Sequence, residues 1–149
     1  MSNLSSTTAI ILAAGRGSRM KAKSKNKVAF KLKGQSMVAY TVDHLFEAGI
    51  KDIITVVGFQ EGSVRSALGD KVTYVTQTEQ LGTGDALRVA LPLINPGVVS
   101  VLAVYGDDSA FYPSSLFKDM VEKKESEKCD ILFLTIKKSD PTGLGRIVR

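Results

Sequence analysis

Apolar residues along the 149-residue chain gather in short unbroken runs rather than alternating with polar ones. The runs are Thr8 to Ala14 (TAIILAA), Ile53 to Val57 (IITVV), Val72 to Val75 (VTYV), Val98 to Val104 (VVSVLAV) and Ile131 to Ile136 (ILFLTI). Continuous β-branched apolarity is the mark of a parallel strand covered on both faces. Between the runs the spacing turns helical. Met37, Tyr40, Thr41, His44, Leu45 and Ala48 share one face, and Gly49 stops that helix as a C-cap residue would. Glu61 to Leu68, Asp85 to Leu93 and Ser114 to Lys124 repeat the pattern, the last with Pro113 before it and Ser114 or Ser115 available as N-cap.

Strand and helix in alternation predict βαβ units with right-handed crossovers. The expected fold is a three-layer α/β/α Rossmann-like open sheet, mostly parallel, and such sheets bind ligands outside the carboxyl ends of their strands. No repeat or linker divides residues 1–149, so one domain is expected, burying roughly 70% of its unfolded surface. The closing LGRIVR reads as the start of a further strand, so the domain is expected to be incomplete at its C-terminus.

Charge sharpens the picture. The net charge is +5, but eight of the twenty basic residues lie between Arg16 and Lys33 with no acid among them; the other twelve face fifteen acids. The basic character is a local patch, which fits a localised anion better than a nucleic-acid duplex, and Phe30 is its only aromatic. The competing reading is a lysine-rich loop that merely aids solubility. A single Cys129 and a single His44 leave no disulfide and no thiol–imidazole pair, as expected of a reducing cytoplasm, and Cys129 reads as a buried or half-buried structural residue. No apolar run approaches the ~18 residues of a membrane helix, and the N-terminal MSNLSSTT lacks a basic leader, so neither a membrane nor an export route is expected.

The patch follows the first strand in LAAGRGSRMKAKSKNK, where Gly15 and Gly17 can take positive φ and turn backbone N–H groups onto an anion. The dinucleotide fingerprint fails at its third glycine, where Met20 stands, and the GxxxxGK[ST] phosphate loop is absent. What remains is a looser loop that adds side-chain cations to backbone donors, suited to a triphosphate.

Leu12-Ala13-Ala14-Gly15-x-Gly17-x-Arg19-Met20 with a following Lys27 resembles the signature of the sugar-phosphate nucleotidyltransferases, most closely the uridylyltransferase branch. Three further stretches extend the resemblance in the family's order. Gln77 to Ala86 (QTEQLGTGDA) is similar to its uracil-binding segment, Tyr105-Gly106-Asp107 to its metal-binding YGD, and Pro141 to Ile147 (PTGLGRI) to its sugar-side motif.

The resemblance implies a Mg²⁺-dependent enzyme that transfers a nucleotidyl group from an NTP, UTP in this branch, to a sugar 1-phosphate such as N-acetylglucosamine-1-phosphate. Arg19 would hold the leaving phosphates and Lys27 the α-phosphate, both as fixed cations against developing charge. Leu12, Ala13, Ala14, Gly15, Gly17, Gln77, Gln80, Gly82 and Thr83 would bind the nucleotide, the Gln77 amide donating to and accepting from uracil. Asp107 would hold Mg²⁺, against the alternative of a carboxylate that merely caps a turn. Tyr105, Gly106 and Gly143 would face the sugar.

The match is not complete. The family has proline before its lysine where this chain has Asn26, and the spacing from Gly15 to Lys27 is one residue longer, which makes Lys25 a rival. It has histidine at the place of Asp85, Val-Pro at Asp108-Ser109 and tyrosine at Leu144. Two alternatives stay open: the same chemistry with another nucleotide or a phospho-alcohol, and a non-catalytic nucleotide- or nucleic-acid-binding unit.

Overall fold

The computed structural model describes residues 4–17 and 24–145. Strand β1 (Thr7–Ala13) lies in the middle of a four-stranded sheet, with β4 (Asp52–Val57) and β5 (Thr73–Thr76) on one side and β6 (Ser100–Tyr105) on the other. Every pairing in this sheet is parallel. A small antiparallel hairpin, β2 (Lys31–Leu32) and β3 (Gln35–Ser36), stands apart from it. Its two turn residues, Lys33 and Gly34, both have positive φ, the combination that matches the twist of a two-residue hairpin.

Period-two alternation in β1 splits the core. Ala9, Ile11 and Ala13 point to one face, where helices α1 (Met37–Glu47), α2 (Glu61–Leu68) and α4 (Ser114–Ser126) deliver Val38, Val42, Leu45, Val64, Leu68, Phe117 and Val121. Ile10 points to the other, where α3 (Thr83–Ala90) packs Ala86 and Ala90 beside Ile54 and Val56. Helices on both faces make the three-layer α/β/α arrangement expected from the runs. Each of the fully buried isoleucines contributes about 1.5–3 kcal/mol relative to exposure.

Local expectations fared unevenly. Helix α1 ends as expected: Gly49 takes φ +94, its N–H bonds to the Phe46 carbonyl and that of Ile50 to the Leu45 carbonyl. Its buried face is Val38, Thr41, Val42 and Leu45, however, while Met37, Tyr40 and His44 are only half-buried. Helix α4 starts at Ser114 with Pro113 in the cap position, so neither serine caps it.

The largest departure is the run Ile131–Ile136, which forms no strand; Ile131, Phe133, Leu134 and Ile136 are exposed. Apolarity says only that a segment gains by burial, and a strand also needs a neighbour to accept its ladder. Strand β6 shows the same limit. It is an edge strand of alternating burial, with Val101 and Tyr105 exposed on the face where α3 is the one described helix. No helix among the described residues is long and apolar enough to cross a membrane.

Candidate active site

At the carboxyl edge of the sheet, the ends of β1, β5 and β6 and the start of α3 enclose a cleft of about 290 Å³. It is lined by Leu12, Ala13, Ala14, Gly15, Gly17, Asn26, Lys27, Val28, Gln77, Gln80, Gly82, Thr83, Ala86, Tyr105 and Asp107. Nearly every residue assigned to the nucleotide and the metal thus reaches one cavity.

Gly17 adopts φ +59, and a Cβ placed there would lie 3.1 Å from the Lys27 Cβ, so glycine lets the loop pass against the lysine. Gly15, contrary to expectation, does not have positive φ. Arg19 falls outside the described residues. Arg16 is the loop's described guanidinium; it lies 5.8 Å over the Phe59 ring and donates Nε to Gln80 Oε1 at 3.3 Å.

The residue that holds the site together stands where the family has proline. Asn26, 1% exposed, donates Nδ2 to the carbonyls of Ala13 (2.8 Å), Gly15 (3.3 Å) and Phe59 (2.7 Å), while its Oδ1 accepts from the Val28 N–H at 3.1 Å. Its own N–H donates to Ser63 Oγ at 3.0 Å. One side chain therefore ties the end of β1 to the turn after β4 and caps the 3₁₀ turn Lys27–Ala29. Its φ of −66° and extended ψ are what a proline would adopt, so asparagine keeps proline's backbone and adds the hydrogen bonds. The signal in the sequence was an N-cap residue directly before the lysine.

Lys27 opens that turn, anchored by buried Val28 and Ala29, and its ammonium pairs with the Asp107 carboxylate. Their side chains are 36% and 23% exposed, so both face the cleft rather than the core. Asp107 comes after Gly106, just past the end of β6, and makes no capping bond to the turn that begins at Asp108, against the turn-cap alternative. Among the described residues no three His, Cys, Asp or Glu side chains cluster as metal ligands. A metal at Asp107 would have one protein carboxylate, with phosphate oxygens and water completing its shell, which suits a hard divalent cation. Lys25 lines a separate cavity of about 610 Å³ beside Lys31 and Ser63, so of the two rival lysines it is Lys27 that reaches the cleft.

On the opposite wall Gln77, 3% exposed, follows β5 and donates Nε2 to Asp85 Oδ2 at 2.8 Å and to the Gly82 carbonyl at 3.2 Å. Asp85 Oδ1 accepts from Arg88 Nε (3.1 Å) and Nη2 (2.6 Å). The bond from Gln77, and then Arg88, hold the Asp85 carboxyl below the usual carboxylate range. Gly82, at φ +105, provides the turn into α3, and Thr83 begins that helix.

The residues assigned to the sugar are dispersed. Tyr105 is exposed and lines the cleft. Gly106 is buried beneath Val28, where a Cβ would lie 3.2 Å from Val28 Cγ1 and 3.3 Å from Ile11 Cγ2. Gly143 sits in the exposed stretch after Ile136 and is not part of the lining. No sequence pattern marks Gly58, yet a Cβ there would meet the Ala14 Cβ and the Gln77 carbonyl at 3.0 Å and the Ala14 carbonyl at 3.1 Å.

The MobA-like NTP transferase domain matches residues 9–146, a span that takes in the loop, the cation, the carboxylate and the amide of this cleft. The chain belongs to that family. Over 141 residues it is 42% identical to the bifunctional protein GlmU of Limosilactobacillus fermentum, an alignment covering 95% of this chain and 30% of that protein. The chain therefore spans about 30% of the length of the curated relatives it matches.

Among solved structures, Rv0371c from Mycobacterium tuberculosis H37Rv is similar with a TM-score of 0.69 at 23% identity, over 80% of this chain and 61% of that one. That protein has also been solved in complex with manganese. A putative glucose-1-phosphate thymidylyltransferase from Bacillus anthracis is similar with a TM-score of 0.67 at 26% identity, over 82% of this chain and 51% of that one. The MobA-like fold is thus shared, with a mostly parallel sheet between helices.

Proposed function

We propose that this nucleotidyltransferase domain transfers a uridylyl group from UTP to a sugar 1-phosphate, N-acetylglucosamine-1-phosphate in the first instance, releasing pyrophosphate. The observation that carries the reading is the single cleft lined by Gly17, Lys27, Asp107, Gln77 and Gly82. Chemically, an oxygen of the sugar phosphate forms a bond to the α-phosphorus while the bond to the β-phosphate oxygen breaks.

Such a reaction gathers several negative charges, and catalysis is chiefly positioning and neutralisation. Lys27 is assigned to the α-phosphate, Arg19 to the departing phosphates, and the Gly15–Gly17 backbone to the triphosphate chain. Asp107 would hold a divalent cation, Mg²⁺ in this reading, which supplies charge neutralisation on phosphate oxygens when bound. Gln77 and Gly82 are assigned to the base, and Tyr105 to the sugar side.

Incubation of the chain with UTP, N-acetylglucosamine-1-phosphate and Mg²⁺ should release pyrophosphate. Absence of release with every nucleotide and sugar-phosphate pair would overturn the transfer reading. A second reading, a nucleotide-binding unit without turnover, is favoured by the exposure of residues 138–140 and 142–145, which carry Gly143 outside the cleft. Saturable UTP binding without pyrophosphate release would support it.

A further inference from the structure

Gln77 has two amide hydrogens, and both are directed at groups that can only accept: the Gly82 carbonyl and the Asp85 carboxylate. An amide turned over end for end would instead set its Oε1 against a carboxylate oxygen, lone pair to lone pair. The 2.8 Å bond to Asp85 is the shorter of the two, and Asp85 is itself held by the two bonds from Arg88. Because Asp85 is kept below the usual carboxylate range, it stays an obligate acceptor through neutral pH.

The consequence lies at the wall of the cleft. Gln77 Nε2 and the Gly82 oxygen stand 3.2 Å apart, a donor beside an acceptor, and both residues line the cavity. A base edge with a carbonyl next to an N–H can take the place of this long internal bond, accepting from Nε2 and donating to Gly82. Throughout that exchange Asp85 keeps its own grip on the amide.

We propose that Asp85 is a specificity-determining residue: by fixing the Gln77 amide with its N–H side toward Gly82, it makes the cleft select the imide edge of uracil or thymine over the inverted edge of cytosine. Asp85 acts through Gln77, so it is a positioning residue. The inference rests on reading this cleft as the base pocket.

The decisive quantity is the ratio of CTP to UTP dissociation constants, measured by titration calorimetry on the full chain with Mg²⁺. Loss of a negative charge would move both nucleotides together and leave the ratio as it was, whereas release of the amide moves the two unequally and so changes the ratio. Asp85→Asn, whose own amide can donate or accept, should lower the preference for UTP about tenfold, the size expected when one well-made hydrogen bond ceases to discriminate. Asp85→Ser relaxes the amide in the same way and decides the matter if the asparagine variant does not fold. Asp85→Glu, which keeps an obligate acceptor, should restore most of the preference. An unchanged ratio in Asp85→Asn or Asp85→Ser overturns the inference and leaves the proposed function standing. Equal binding of UTP and CTP by the unaltered chain overturns it as well, leaving transfer of another nucleotide open. Binding of neither nucleotide overturns both.

Discussion

Lys27 and Asp107 meet as an ion pair at the carboxyl edge of the sheet, the ammonium brought by the 3₁₀ turn and the carboxylate by the residue after Gly106. Read separately in the sequence, one was assigned to phosphate and the other to a metal. In the folded chain each is the other's counterion, so under the proposed function a nucleotide with its cation would have to replace that pairing with new ones.

If that exchange is the working event, Lys27→Ala should reduce the rate of pyrophosphate release on the order of 10²–10³-fold, as loss of a preorganised charge does. Asp107→Asn should fall in the same range. Stability should change by under about 1 kcal/mol in either, because the pair is partly solvated. Lys25→Ala, altering a residue of the neighbouring cavity, should leave the rate near that of the unaltered chain. Steady-state kinetics beside urea denaturation separates these outcomes, and a Lys25 variant as impaired as the Lys27 variant would reverse the assignment.

Asn26 should matter for folding more than its size suggests. Asn26→Ala leaves the Ala13 and Phe59 carbonyls without their donor and uncaps the turn that carries Lys27. The expected loss is about 2–4 kcal/mol, read from the denaturation midpoint at unchanged slope. Asn26→Pro keeps the φ but loses the bond to Ser63 and every side-chain bond, so it should be destabilised too. A neutral Asn26→Ala would mean that water replaces these bonds without cost.

Gly58→Ala tests the close approach of two strand ends. The added methyl would meet the Gln77 and Ala14 carbonyls at 3.0 and 3.1 Å, and backbone cannot swing aside as a flexible side chain can. A loss of about 1–3 kcal/mol is expected. Since the same shift moves Gln77, UTP affinity should weaken alongside, and calorimetry on the folded variant checks it.

Tyr112 carries a pH signature. Its hydroxyl donates to Asp108 Oδ2 at 2.7 Å; that bond first, then burial and the charge of Asp108, push its pKa from the usual 10.0 up to about 12. A folded-state value raised above the unfolded one gives stability present in full below pH 10 and lost as pH rises toward about 12. Denaturation midpoints below pH 10 and near pH 12 should show this decline, and Tyr112→Phe should flatten it. An equal decline in the phenylalanine variant would assign the alkaline loss elsewhere.

Local pattern was a good guide wherever one element's own residues decide its form. The runs at Thr8–Ala14 and Ile53–Val57 became central parallel strands because both faces find helices, and Gly49 ended α1 because its φ is open to glycine. It failed at Ile131–Ile136, where strand formation depends on a partner the run cannot specify. It also misread the α1 face, since Met37, Tyr40 and His44 satisfy helical spacing as well as Val38 and Val42 do.

The sequence by itself determined the class of the fold, the chemistry gathered in LAAGRGSRMKAKSKNK and the order of the motifs along the chain, because period, charge and glycine placement are local properties. Only the tertiary structure decided that Asn26 ties the loop to the turn after β4, that Lys27 rather than Lys25 reaches the cleft, and that Asp85 takes hold of Gln77. Each of those depends on distances between segments far apart in the chain, and the sheet that sets these distances exists only once all four strands have paired.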